Sequence, residues 1–135
     1  MFAPVSSRRE HKEPLQLRVI VITLIAVCCV SFGEALLSKA MKEVGPIDRL
    51  SLPLISRIAS NGHLWVGIFL MAVFFVLYSI ALSWADLSYV LPLTAISYLT
   101  GAFLAKYYLH EDVTLVRWIG ATVITIGVII VGRGG

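Results

Sequence analysis

Four long apolar runs constrain this chain more than any other feature: roughly Leu17–Leu37, Leu64–Ala85, Leu87–Leu109 and Val116–Gly132. Each lies near the ~20 residues needed to cross a ~30 Å hydrocarbon layer, and the last is the shortest. Inside a bilayer every backbone polar group must find its partner within the protein, so only helices and closed barrels span it. Barrel strands alternate apolar and polar side chains over about ten residues, and these runs do not. Of the 135 residues, 59% are hydrophobic and 14% charged, against about 25% charged in an ordinary soluble domain. The expectation is an all-α membrane protein with a polar tail at residues 1–16 and one four-helix transmembrane domain at 17–135. The spans fall at about 17–42, 64–85, 87–109 and 115–132.

The boundaries follow from local chemistry. The N-terminal stretch carries Arg8, Arg9, Glu10, Lys12 and Glu13. The apolar run after it is too long for the core of a signal peptide and has no small-residue cleavage site, so it reads as an uncleaved first span. Cys28 and Cys29 are adjacent within that span and read as inert thiols. Gly45-Pro46 ends the first helix. The longest polar connection, Glu43–His63, repeats Ile47, Leu50, Leu54 and Ile58 at helical spacing. It is either a short interfacial helix, with Ser51 as N-cap, Pro53 in the first turn and Asn61-Gly62 as stop, or an irregular loop. Spans 2 and 3 meet in a tight hairpin at Trp84–Ser88, and spans 3 and 4 in a short turn at Leu109–Thr114. Trp65, Trp84 and Trp118 all fall at span ends, where amphipathic rings favour the membrane–water boundary.

With four spans, both termini share one side. Arg8, Arg9, Lys12, Arg18 and Arg133 lie there, facing Lys39, Lys42, Arg49, Arg57, Lys106 and Arg117 on the other. Five basic residues against six leave the positive-inside rule almost nothing to act on. The net charge of +3 sits at span ends, which suits lipid headgroups and not nucleic acid.

The polar residues at membrane depth carry the functional reading. Glu34 lies about two turns before Lys42, and intramembrane ionisable residues are functional candidates by default. Ser31 and Ser38, at i−3 and i+4, put a polar stripe on the same face. A carboxyl between hydrocarbon and water suits proton exchange. Two bland alternatives stand beside this: pairing with Lys42, or a headgroup position if the span ends early. In span 3, Pro92 removes a backbone hydrogen bond and frees a carbonyl inside the membrane, and such kinks line cavities in transporters. Tyr89, Thr94, Ser97, Tyr98, Thr100 and Gly101 add polar and small groups to that helix. In span 4, Gly120 and Gly127 share a face that permits close helix approach, either within the chain or between copies. The sequence shows no metal, nucleotide or nucleophile constellation, so neither an enzyme nor a cofactor is expected.

The segment Ser88–Gly132 resembles the closing half of an EamA-like domain of the drug/metabolite transporter superfamily. It carries the kinked helix at Pro92, Glu111 in the turn, and Trp118-Ile119-Gly120 before Gly127-Val128. The first span is similar to the four-helix small multidrug resistance branch of that superfamily: Glu34, Ser38, Met41 and Lys42 reproduce the spacing of its membrane glutamate, hydroxyl and Met-Lys pair. The resemblance implies a multi-pass protein of a bacterial inner membrane that transports a small metabolite or amphipathic solute. It also implies a dimer, of two like chains or of paralogues, whose two glutamates share one proton-exchanging site. Pro92 stands where that branch has a tryptophan, so the drug-stacking aromatic is missing. On this reading Glu34 binds proton or substrate, Ser31, Ser38 and Tyr89 assist, Pro92 shapes the cavity, and Gly120 and Gly127 form the dimer contact. Two other readings remain: a flippase subunit for a lipid-linked sugar, similar in length and with a proline early in span 3, and a non-transporting membrane scaffold.

Overall fold

The first span begins earlier than its apolar run: α1 covers Val5–Val44 and continues back through much of the polar tail, with Pro14 inside it. This computed structural model describes residues 5–133, with packing given from Pro14 onward except at Gly132; the first four residues of the expected tail lie outside the described residues. α1 ends where expected. Gly45 takes a left-handed φ of 87° and its N–H donates to the Met41 carbonyl at 3.0 Å, the glycine cap that closes many helices.

The connection to the second span contains a helix, α2, at Leu52–Ala59. Ser51 precedes it in an extended conformation and a proline occupies its first turn, but the Ser51 side chain makes no capping bond. α2 ends just before Asn61-Gly62, with Ser60 as its C-cap and the Asn61 N–H on the Ile58 carbonyl at 3.2 Å, and Asn61 also serves the helix that follows. Its side chain accepts from the His63 N–H and caps the next one, α3, at Gly62–Trp84. The short amide side chain satisfies one of the orphan N–H groups of the α3 N-terminus. Leu50 and Leu52, 85% and 84% exposed, leave the start of α2 with apolar groups turned outward, as an interfacial helix requires.

The third span is two helices, α4 at Leu87–Thr94 and α5 at Ile96–Tyr107, meeting at Ala95. Pro92 lies one turn before that joint, and the Ala95 and Tyr98 N–H groups close tighter i−3 turns onto the Pro92 and Ala95 carbonyls, each at 3.0 Å. The expected kink is therefore a local tightening at Ala95, whose backbone stays right-handed at φ −68° and ψ −10°. α6 covers Leu115–Arg133. Three helices, Pro14–Val44, Gly62–Trp84 and the combined α4–α5 at Leu87–Tyr107, are long and apolar enough to cross a membrane; the apolar part of α6, Leu115–Val131, is shorter. The described residues contain no strand.

α1 is the central element. It packs against α3 on one side and against α4 and α5 on the other, while α6 packs on α4 and α5 at the periphery. The α1–α3 crossing is tight because both helices present glycine: a Cβ on Gly67 would lie 3.0 Å from the Gly33 carbonyl oxygen and 2.9 Å from Leu37 Cγ. The side-chain distribution is the reverse of a water-soluble bundle. The buried side chains are small ones, such as Ala26, Val27, Ser31, Ala35 and Ala81, while Trp65, Phe69, Phe75 and Phe103 face outward. Helices in lipid associate through close packing of small residues, since the surrounding tails are as apolar as the core. The molecule is thus an all-α, multi-pass membrane protein.

Candidate functional site

Ser31, Glu34, Ala35 and Ser38 recur at i, i+3, i+4 and i+7 and so share one face of α1. Gly101, Leu104 and Ala105 do the same on α5. These two faces line an open cavity of about 270 Å³, bordered also by Leu109 and Glu111 from the α5–α6 turn. Gly101 leaves the space open, for no atom lies within 4 Å of where its Cβ would be. Ser31 is 2% exposed, and its hydroxyl lies 2.6 Å from that of Thr100. The Thr100 hydroxyl also reaches the Ser97 carbonyl at 3.1 Å. Glu34 itself is exposed, in the groove between α1 and α5, and no described residue pairs with it.

Lys42 does not pair with Glu34. Its Nζ donates to Glu111 Oε1 at 2.5 Å, across 69 positions of sequence. The neighbouring residue, Glu43, is held separately: its Oε2 accepts from Asn61 Nδ2 at 2.8 Å and stands 3.5 Å from His63 Nδ1. Glu111 is placed by the end of α5. The Tyr108 and Leu109 N–H groups bond back to the Leu104 carbonyl and the Glu111 N–H to that of Ala105, at 2.9 Å, with His110 at φ 53°. This is the backbone pattern that glycine usually supplies at helix ends. Lys39 and Lys106 sit where span-end lysines should: Lys39 lies 5.2 Å from the Tyr108 ring and Lys106 6.0 Å from that of Trp118.

Of the expected site residues, Ser31, Glu34 and Ser38 meet in the cavity. Tyr89 does not join them. It packs against the cluster of Val19, Ala81 and Val90 at the opposite end of the bundle, beside a second cavity of about 360 Å³ that it shares with Gln16, Trp84 and Asp86. Val19 precedes Glu34 on α1 by about 22 Å at ~1.5 Å per residue. Pro92 lies between the two ends, next to the Ala95 joint. Gly120 and Gly127 lie on α6, where a Cβ on either would meet nothing within 4 Å; packing within the chain does not account for them. Sequence reasoning passed over Gly33, Gly67 and the cavity roles of Thr100 and Gly101. The small and hydroxyl residues at Ser97, Thr100 and Gly101 were the available signal for the α5 face.

No curated protein and no solved structure matches the chain. The profile of the EamA-like transporter family matches residues 51–133, which takes in α2 to α6 and both the Pro92 kink and the Glu111 turn. The match extends over more than half of the chain, and the chain belongs to the EamA-like transporter family.

Proposed function

We propose that the chain moves a small metabolite or amphipathic solute across the membrane by proton-coupled exchange at Glu34, acting as a dimer. The observation that carries this is the position of Glu34: a carboxylate with no partner among the described residues, on a membrane-spanning helix, beside a cavity that Ser31 and Ser38 also line. A purely structural glutamate at this depth calls for a fixed basic partner; Lys42, two turns on, is committed to Glu111, and Lys39 lies over the Tyr108 ring. α6 serves as the fourth span on this reading, and its exposed Gly120/Gly127 face is the contact between copies. Both copies then contribute a Glu34 to one site, and two such carboxyls titrate as a coupled pair. The outward exposure of Glu34 in a single chain supports that arrangement.

The test is uptake into proteoliposomes under an imposed pH gradient, scanning a panel of amines, amino acids, sugars and lipid-linked sugars. Uptake of a panel member that needs the gradient and is lost with Glu34→Gln supports the reading. Uptake that ignores both the gradient and the substitution refutes proton coupling.

A further inference from the structure

The cavity at Glu34 is one of three spaces at this end of the bundle, and the ion pair of Lys42 with Glu111 lies on the partition between them. Glu111 lines the inner cavity with Glu34. Lys42 lines two outer clefts instead, one with Ser38 and Pro46 and one with Lys39, Tyr108 and His110. Ser38 and Leu109 each border the inner cavity and one of the clefts. The pair therefore joins the end of α1 to the α5–α6 turn at the place where the inner space would open to the outer ones.

We propose that Glu111 is a positioning residue of the Glu34 site, whose ion pair with Lys42 latches the α5–α6 turn over the cavity and controls the access of water to Glu34 from this end. The proposal rests on the reading of Glu34 as the exchanging group. Three features make the pair a latch. Its two side chains are 52% and 30% exposed, so water and ions compete with it and it opens at little cost. The adjacent Glu43 is tied to Asn61, so the end of α1 stays attached to α3 when Lys42 lets go. Glu111 is aimed by the backbone bonds that close α5, whereas Lys42 carries the flexible stem; the lysine lets go, and the turn that carries Glu111 is then free to shift.

The test reads solvent access to the cavity and needs no substrate. Ala35 lines the cavity and is 6% exposed. In nanodiscs, with Cys28 and Cys29 replaced by alanine, Ala35→Cys is labelled by a membrane-impermeant charged thiol reagent. Lys42→Ala and Glu111→Gln should each raise the labelling rate roughly three- to fivefold, as the loss of an exposed pair allows, and the exchanged pair Lys42→Glu with Glu111→Lys should return it to the slow value. Raising the ionic strength should speed labelling of the chain with its native pair, since salt screens exposed charges; this arm holds even if a single variant fails to fold. A merely structural tie predicts lower melting temperatures with an unchanged rate in the folded protein. Rates within twofold across the variants and salt conditions, or an exchanged pair as fast as the single variants, overturn the latch. Because Glu34 is untouched here, fast labelling of the single variants combined with normal transport by Glu34→Gln would retire the proton site and keep the latch.

Discussion

The Ser31 and Thr100 hydroxyls, 2.6 Å apart, join the central helix α1 to α5 at the edge of the Glu34 cavity. The bond is shared out unevenly. Thr100 retains the Ser97 carbonyl when Ser31 is removed, so no buried group is orphaned on its side.

Ser31→Ala should therefore destabilise the protein only slightly. Hydrogen bonds between membrane helices average about 0.6 kcal/mol, and a loss of roughly 0.5–1 kcal/mol is expected. Thermal unfolding in detergent measures it. A loss above about 2 kcal/mol would mean that Thr100 depends on Ser31 far more than this geometry allows.

Gly67→Ala should be the costlier change, although alanine is the better helix former by about 1 kcal/mol. The added methyl meets the Gly33 carbonyl oxygen at 3.0 Å and Leu37 Cγ at 2.9 Å; the leucine can rotate away, but the backbone oxygen cannot. Overpacking of this kind costs about 1–3 kcal/mol. Gly101→Ala is the internal control, because its methyl enters open space. Denaturation of both variants should show Gly67→Ala less stable than the parent chain and Gly101→Ala equal to it or better.

Thr23 is 1% exposed, and its hydroxyl finds no partner among the described residues. An unsatisfied buried hydroxyl costs about 1–3 kcal/mol. Thr23→Val keeps the branched shape and removes that group, so the melting temperature should rise. A fall would show that the hydroxyl is engaged after all.

The long apolar helices were legible because lipid leaves the backbone so few options. Runs such as Leu64–Ala85 must be helical whatever packs on them, and Gly45 and Pro92 marked an end and a kink by their own backbone limits. Pairings between distant segments were not legible. The sequence offered Lys42 only Glu34, two turns away; the partner it finds, Glu111, lies 69 positions on and is brought to it by the folded end of α5. Tyr89 joins Glu34 in the sequence only through the resemblance to the four-helix branch. Depth separates them: α1 and the α4–α5 span run in the same direction, so the start of α4 meets Val19 and not Glu34. The Gly33/Gly67 contact was hidden for a related reason, since a single glycine in each helix signals nothing until the crossing register is known. Asn61 both follows the end of α2 and caps α3; the second role was not legible, because it depends on where the side chain meets the His63 N–H.

Gly127→Leu should weaken dimers in mild detergent. The exposed side of α6 has no partner within the chain at this glycine, and a leucine there keeps two helix backbones apart. Size exclusion with light scattering measures the mass. An unchanged dimer would place the contact elsewhere.

The central claim is that Glu34 exchanges protons and does not merely hold the fold together. Glu34→Gln keeps the size and hydrogen-bonding reach of the side chain and removes its ability to ionise. Because no described basic group pairs with Glu34, the substitution strands no counter-charge, and assembly and detergent stability should be unaffected. The deciding measurement is proton release on adding a transported solute, made on purified wild type, Glu34→Gln and Glu34→Asp, with melting temperature recorded alongside. The account predicts release from wild type and from the aspartate variant and none from the glutamine variant, at equal stability. Normal proton release by Glu34→Gln would contradict it, and a misassembled Glu34→Gln, with the loss of about 3–5 kcal/mol that follows breaking a buried ion pair, would make Glu34 a structural residue instead.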